Sequence, residues 1–158
     1  MRNDLPFLLK ENDLVVIDTC AIFSKGFVKL FQKNAKNIVY SKKSVILHRA
    51  VMNELIRISK EPKHLKYYDA KKILPILYVL ESVNVFRFIG DDKDFRFADQ
   101  QFIEYVISSR MRNRMALITL DKGLSSDILM QNKLQSFRGN IVRVFGISDE
   151  GELYEYLS

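Results

Sequence analysis

Short apolar runs constrain this chain more than any other feature. "LVVI" (14–17), "VILH" (45–48), "VNVFRF" (83–88), "ALITL" (116–120) and "NIVRVF" (140–145) are too short for buried helices, and most are too continuously apolar for a sheet face open to water. Such runs predict strands covered on both faces, as in a parallel sheet. The segments between them carry helical spacing. Phe23, Phe27, Leu30 and Phe31 form one series, weakened at its start by Gly26; Val51, Leu55 and Ile58 form a stripe that Pro62 stops; Ala98, Phe102, Val106 and Ile107 form a third. The stretch 64–82 is helical in pattern but holds Pro75, which predicts two shorter helices. Ser148, with Asp149 and Glu150 behind it, predicts the capped start of a last helix reaching Leu157. Strands alternating with helices predict an α/β fold with a parallel sheet covered on both faces.

At 158 residues and 47% hydrophobic content, the chain is expected to be one domain, 1–158, with residues 1–13 as a leader ahead of the first strand. The net charge of +6 favours an anionic partner. Cys20 is the one cysteine, which excludes an intramolecular disulfide and a zinc site built on cysteines, and fits a reducing interior. "MRNDLPFLLKEND" is neither a signal peptide nor a membrane span, because its apolar core is short, flanked by acids and broken by Pro6. A cytoplasmic location without a membrane partner is expected.

Two of the predicted strands end alike, "VVIDT" and "LITLD", with Asp18 and Asp121 at or just past the carboxyl edge. A charge at a strand end can simply meet solvent. If the two strands are neighbours, however, both carboxylates project into the crevice where open α/β sheets place their ligands. Glu54, on the helix after the second strand, and Asp99, near the start of the helix after the third, could lean over the same edge. Two carboxylates about 4 Å apart repel by roughly 4 kcal/mol at an effective dielectric near 20. The usual responses are a raised pKa or a bound cation, and an all-oxygen donor set suits Mg²⁺ or Mn²⁺.

On these residues the chain resembles the PIN-domain family of metal-dependent nucleases, which includes the VapC-like toxin ribonucleases. The matching pieces are "VVIDTCAI", "RAVMNELIRI", "FADQQFIEYV" and "ALITLDKGLSSD", in the family's order, and the motifs span residues 14–127. The resemblance implies a three-layer α/β/α sandwich with a five-stranded parallel sheet. It also implies an acidic catalytic and metal-holding site formed by Asp18, Glu54, Asp99 and Asp121, joined by Asp127 as a further acid. Thr119 matches a small hydroxyl residue that steadies a ligand carboxylate or water; its alternative is an ordinary β-branched strand residue. The implied activity is an endoribonuclease dependent on Mg²⁺ or Mn²⁺, in which water attacks a phosphodiester in line and leaves 5′-phosphate and 3′-hydroxyl ends. The same chemistry would act on DNA. For toxin-type members an antitoxin protein and a homodimer are the implied partners. A catalytically silent PIN-like module that binds RNA or a protein is the alternative. A phosphatase using Asp18 as nucleophile fits less well, because Cys20 stands where a second Asp would be expected.

Other polar clusters are weighed against plainer readings. Asp91, Asp92 and Asp94 suit turn formation and capping. His48 and His64 are too far apart in sequence for a local metal pair; Cys20, just beyond Asp18, could be near the site, but a small buried thiol is the preferred reading. Arg110, Arg112 and Arg114 read as a solvated helix end at the opposite edge of the sheet. Lys63, Lys66, Tyr67 and Tyr68 interleave cations with aromatics, as single-stranded nucleic acid requires, with a solvated helix face as the alternative; Lys122, Lys42 and Lys43 are weaker cases of the same kind.

Overall fold

A computed structural model of the chain describes residues 4–90, 98–134 and 139–157, and gives side chains throughout these except at 98–100. The five apolar runs form β1 (Leu14–Ile17), β2 (Val45–His48), β3 (Phe86–Ile89), β4 (Met115–Ile118) and β5 (Val142–Ile147), and a sixth strand, β6 (Leu153–Glu155), follows. They make one sheet of order β3-β2-β1-β4-β5-β6. The first five are mutually parallel, and β6 runs antiparallel to β5. The fold is thus α/β, with a six-stranded, mostly parallel mixed sheet flanked by helices. Strands β1, β2 and β4 contain no exposed residue, as expected for strands inside such a sheet. On one side of the sheet Phe27, Phe31 and Phe86 pack with ring centroids 4.8–6.2 Å apart.

Three expectations are corrected. Residues 149–157 do not form a helix: Gly151 turns the chain at φ 81°, and β6 pairs Phe145 with Glu155, Gly146 with Tyr154 and Ile147 with Leu153. Tertiary pairing overrides the capping signal at Ser148, whose hydroxyl accepts from the Glu152 amide inside the hairpin instead. Gly146 is required here, since a Cβ at that position would meet the Tyr154 ring at 2.3 Å. The sheet therefore has six strands, not five parallel ones.

The second correction concerns Pro75, which lies inside one continuous helix, α5 (Tyr67–Ser82), rather than between two. Proline deprives the Lys71 carbonyl of its helical donor, and both Pro75 and Lys71 are exposed, so water replaces the lost bond. Ala70, Ile73 and Leu77 hold the helix to the core on the other face. The third correction is Arg110, which is fully buried rather than solvated. Its guanidinium donates to the Asn140 carbonyl, to Gln131 and to Asn132, tying the end of α6 (Ala98–Ser109) to α7 (Lys122–Asn132) and to the entry of β5. Arg114 behaves as expected at the amino edge, where it pairs with Asp13 at 3.3 Å.

The segment expected as a leader contributes a short helix, α1 (Leu5–Glu11), with Asp4 as its cap and Pro6 in its first turn. Leu5, Leu8 and Leu9 are buried, and α1 packs on α3 (Phe27–Ser41). No helix among the described residues is long and apolar enough to cross a membrane.

The antiparallel strand is fastened by a two-pronged ion pair in which Arg143 Nε and Nη2 each donate to Glu155 at 2.8 Å. The Arg143 hydrogen bonds hold the Glu155 carboxyl below its ordinary value of 4.5. A depressed carboxylate contributes stability above its unfolded pKa and loses it as pH falls through the lower folded value. Glu155→Gln is expected to cost about 1 kcal/mol in urea unfolding at pH 7. The gap between variant and wild type should close as the pH falls below 4.5.

Candidate functional site

In this strand order the chain moves outward from β1 to β2 and β3, then crosses back to β4 on the other side of β1. The switch point lies between β1 and β4, and open α/β sheets hold ligands outside the carboxyl ends of the strands at that point. Asp18 follows β1 and Asp121 follows β4 after two residues, so both stand at this crevice. Nothing after β1 resembles the glycine-rich turn that receives dinucleotide phosphates; the sequence there is "DTCAI".

Asp18 is the most constrained of these acids, with only 7% of its surface exposed. It caps α2 (Thr19–Ile22), its Oδ1 accepting from the Thr19 amide at 2.7 Å. Its Oδ2 accepts from Thr119 Oγ1 at 3.0 Å and from the Cys20 thiol at 3.1 Å. The Thr119 hydroxyl, itself fully buried, also accepts from the Asp121 amide at 3.0 Å. One hydroxyl thereby joins the two strand ends. Asp121 is exposed and caps α7, its Oδ1 accepting from the Leu124 amide at 3.0 Å. Glu54 reaches the same place from α4 (Arg49–Ile58), where its Oε2 accepts from Thr19 Oγ1 at 2.9 Å. Glu54, Thr19, Asp18, Thr119 and Asp121 thus form one hydrogen-bonded series across the carboxyl edge.

Asp99 is the second residue of α6, which leaves the same edge after β3; its side chain lies outside the described residues, as do Asp91, Asp92 and Asp94. Asp127 is exposed on α7, six residues beyond Asp121 and so about 9 Å further along the helix axis. Among the described residues no three His, Cys, Asp or Glu side chains form a group that could hold a metal ion.

One residue at the site, Thr19, escapes the sequence reading, and for Cys20 the structure favours the reading that the sequence ranked second. Thr19 stands beside Asp18, yet nothing in "DTC" announces a bond to an acid 35 residues away. Cys20 belongs to the acid cluster rather than to the core alone. Its sulfur touches Asp18, Thr119 at 3.2 Å and the Leu120 amide at 3.3 Å. Burial first, then the charge of Asp18, push the thiol up to about 11, so near neutral pH it is a donor and not a thiolate. His48, by contrast, is engaged structurally: its Nδ1 accepts from the Ala50 amide and its ring lies against Tyr105.

The basic and aromatic cluster borders one rim. Because α5 leads to the amino end of β3, its first turn points back to the carboxyl edge. There Lys66 Nζ stands 5.8 Å from the ring of Phe23, the residue that ends α2, and 3.7 Å from Asp69. Tyr67 and Tyr68 meet edge to face at 5.0 Å, and Lys63 is exposed beside them in the preceding turn. Lys122 opens α7 next to Asp121 and is exposed.

Compared with family models, with curated proteins and with solved structures, the chain gives no match. The functional reading therefore stands on geometry and chemistry.

Thr119→Val keeps the shape of the side chain but removes both bonds of the bridging hydroxyl. It is expected to cost about 1–3 kcal/mol, read by urea unfolding, because a buried carboxylate and an amide each lose a partner. Thr119→Ser should recover most of that loss.

Proposed function

We propose that this chain is a divalent-cation-dependent endoribonuclease with a PIN-like, three-layer α/β/α architecture. The observation that supports it best is that the Thr119 hydroxyl links the Asp18 carboxylate to the Asp121 backbone amide across the switch point of the sheet, with Glu54 joined to Asp18 through Thr19. The donors are hard carboxylate oxygens, which fit Mg²⁺ or Mn²⁺ and suit softer ions less well. Asp18, Glu54, Asp99 and Asp121 would hold the cation, with Asp127 standing further off. When bound, the cation supplies Lewis-acid stabilisation of charge on a phosphodiester.

The chain's own groups have separate tasks in this reading. The Thr19 amide and Thr119 hydroxyl fix the Asp18 carboxylate before any ligand arrives, which is the support a binding constellation needs. The Cys20 thiol, protonated near neutral pH, is not the nucleophile. Water is the attacking group, so no histidine is needed as base. Lys122, Lys66 and the Tyr67–Tyr68 pair flank the acids with positive charge and aromatic surface, as a single-stranded RNA substrate would require. Toxin-type behaviour, with an antitoxin protein and a homodimer, belongs to the same proposal.

A second reading, a catalytically silent PIN-like module that binds RNA or a protein, draws on one observation. The described carboxylates already accept hydrogen bonds from protein donors, and no three of the described ligand-type residues make a metal-holding group.

Mixed cellular RNA, incubated with the purified chain and Mg²⁺ or Mn²⁺, is expected to give products with 5′-phosphate and 3′-hydroxyl ends on sequencing. Asp18→Asn and Asp121→Asn should each lower cleavage by about 10²-fold or more with the circular dichroism unchanged. Thermal melting in Mn²⁺ separates the two readings. A cation at 100 times its Kd stabilises by about 2.7 kcal/mol, whereas a silent module should not shift. Absence of both cleavage and stabilisation with every divalent ion would sink the nuclease reading.

A further inference from the structure

Beside the acidic edge, α7 and the segment that follows β6 line a cleft of about 370 Å³, within the range of pockets that hold small ligands. Its lining is apolar and cationic: Leu129, Met130 and Tyr156 contribute apolar surface and Lys122 and Lys133 positive charge, with no acid among the described lining residues. Both lysines are exposed. Lys122, in the lining, follows Asp121 in the chain, so the cleft begins at the end of α7 that Asp121 caps.

Tyr156 connects them a second time. Its amide donates to the Val144 carbonyl at 2.8 Å, which extends the β5–β6 ladder and fixes the backbone beneath the ring. Its phenol is pushed upward by burial, by Tyr154 and by the nearby Cys20, which itself touches Asp18. Tyr154 meets Tyr156 edge to face at 5.4 Å and lies over Gly146, whose missing side chain makes that placement sterically possible. The two tyrosines thus present a continuous aromatic surface on the side of the cleft formed by the chain end.

A cleft that carries two cations and an aromatic ring beside an anionic site has little to offer an acid-free apolar partner or a cationic one. It suits a ligand with a negative charge and a flat apolar body. We infer that this cleft receives a nucleotide of single-stranded nucleic acid adjoining the phosphate held at the acidic edge. Its base lies against Tyr156, and successive phosphates of the strand meet Lys122 and Lys133, which stand about 16 Å apart along α7. The inference rests on the nuclease reading and adds the path of the substrate, on the side of the site opposite Lys66, Tyr67 and Tyr68.

The test measures binding without cleavage. A fluorescein-labelled single-stranded RNA of mixed sequence, and its duplex, are titrated with the full chain in EDTA and followed by anisotropy. The single strand is expected to bind more tightly than the duplex. Lys122→Gln with Lys133→Gln should weaken it about tenfold and flatten the slope of log K against log salt by about 0.7 per lysine. Tyr156→Leu should weaken it about tenfold while Tyr156→Phe binds as the wild type, since stacking needs the ring and not the hydroxyl. Unchanged affinity in the lysine pair or in Tyr156→Leu, or preference for the duplex, overturns the inference. The exposed lysines keep the test valid should Tyr156→Leu fail to fold. Cleavage by a wild type whose cleft variants bind normally removes the cleft and leaves the nuclease. Cleft-dependent binding without cleavage in any divalent ion does the reverse.

Discussion

The carboxylate of Asp18 is the constraint on which the carboxyl edge depends. An ionised carboxylate taken almost fully out of water must be met by donors, or it is strongly unfavourable. Here the donors are the first amide of a short helix, a buried threonine hydroxyl from the neighbouring strand and a thiol two residues on. The donors come from the start of α2, directly after β1, and from the end of β4, so satisfying the charge also fixes how these two strand ends meet. The Thr119 hydroxyl does this twice, since it donates to one strand end and accepts from the next.

The sheet makes that meeting possible. Pairing of β1 with β4 in register, Ile17 beside Ile118, sets Asp18 level with Thr119. Because β1 and β4 are distant in sequence and adjacent in space, the crevice between them is bounded by residues about a hundred positions apart. The Glu54 contact adds a third element from the other half of the sheet. An arrangement drawn from three separate segments forms only when the fold is complete, and it loses its order together with the fold.

A negative site on a chain of net charge +6 also creates a contrast along one edge. Acids gather at the switch point, while lysines and tyrosines occupy both flanks, at the start of α5 and in the cleft between α7 and β6. Charge of alternating sign on this scale suits a polyanion that must be drawn in by its backbone and still bring one phosphate up to carboxylates.

By itself the sequence determined the five parallel strands, most of the helices and the acids at two strand ends, because unbroken apolar runs and helical stripes are local patterns that burial on both faces enforces. It missed what depends on partners distant along the chain. The capping signal at Ser148 lost to the pairing of β6 with β5, since a strand edge with open backbone groups gains more from a ladder than a short exposed helix gains from its cap. Pro75 was tolerated because it and Lys71, whose carbonyl loses its donor, lie on the exposed side of α5, a matter of which side of the helix packs. Arg110 was buried because Asn140, Gln131 and Asn132 converge on it, and convergence has no local signature. The same holds for the site: Asp18 and Asp121 were legible as strand ends, but the Thr19–Glu54 bond, the place of Cys20 among the acids and the tyrosine-walled cleft were decided only by tertiary structure, which alone brings together groups the chain keeps apart.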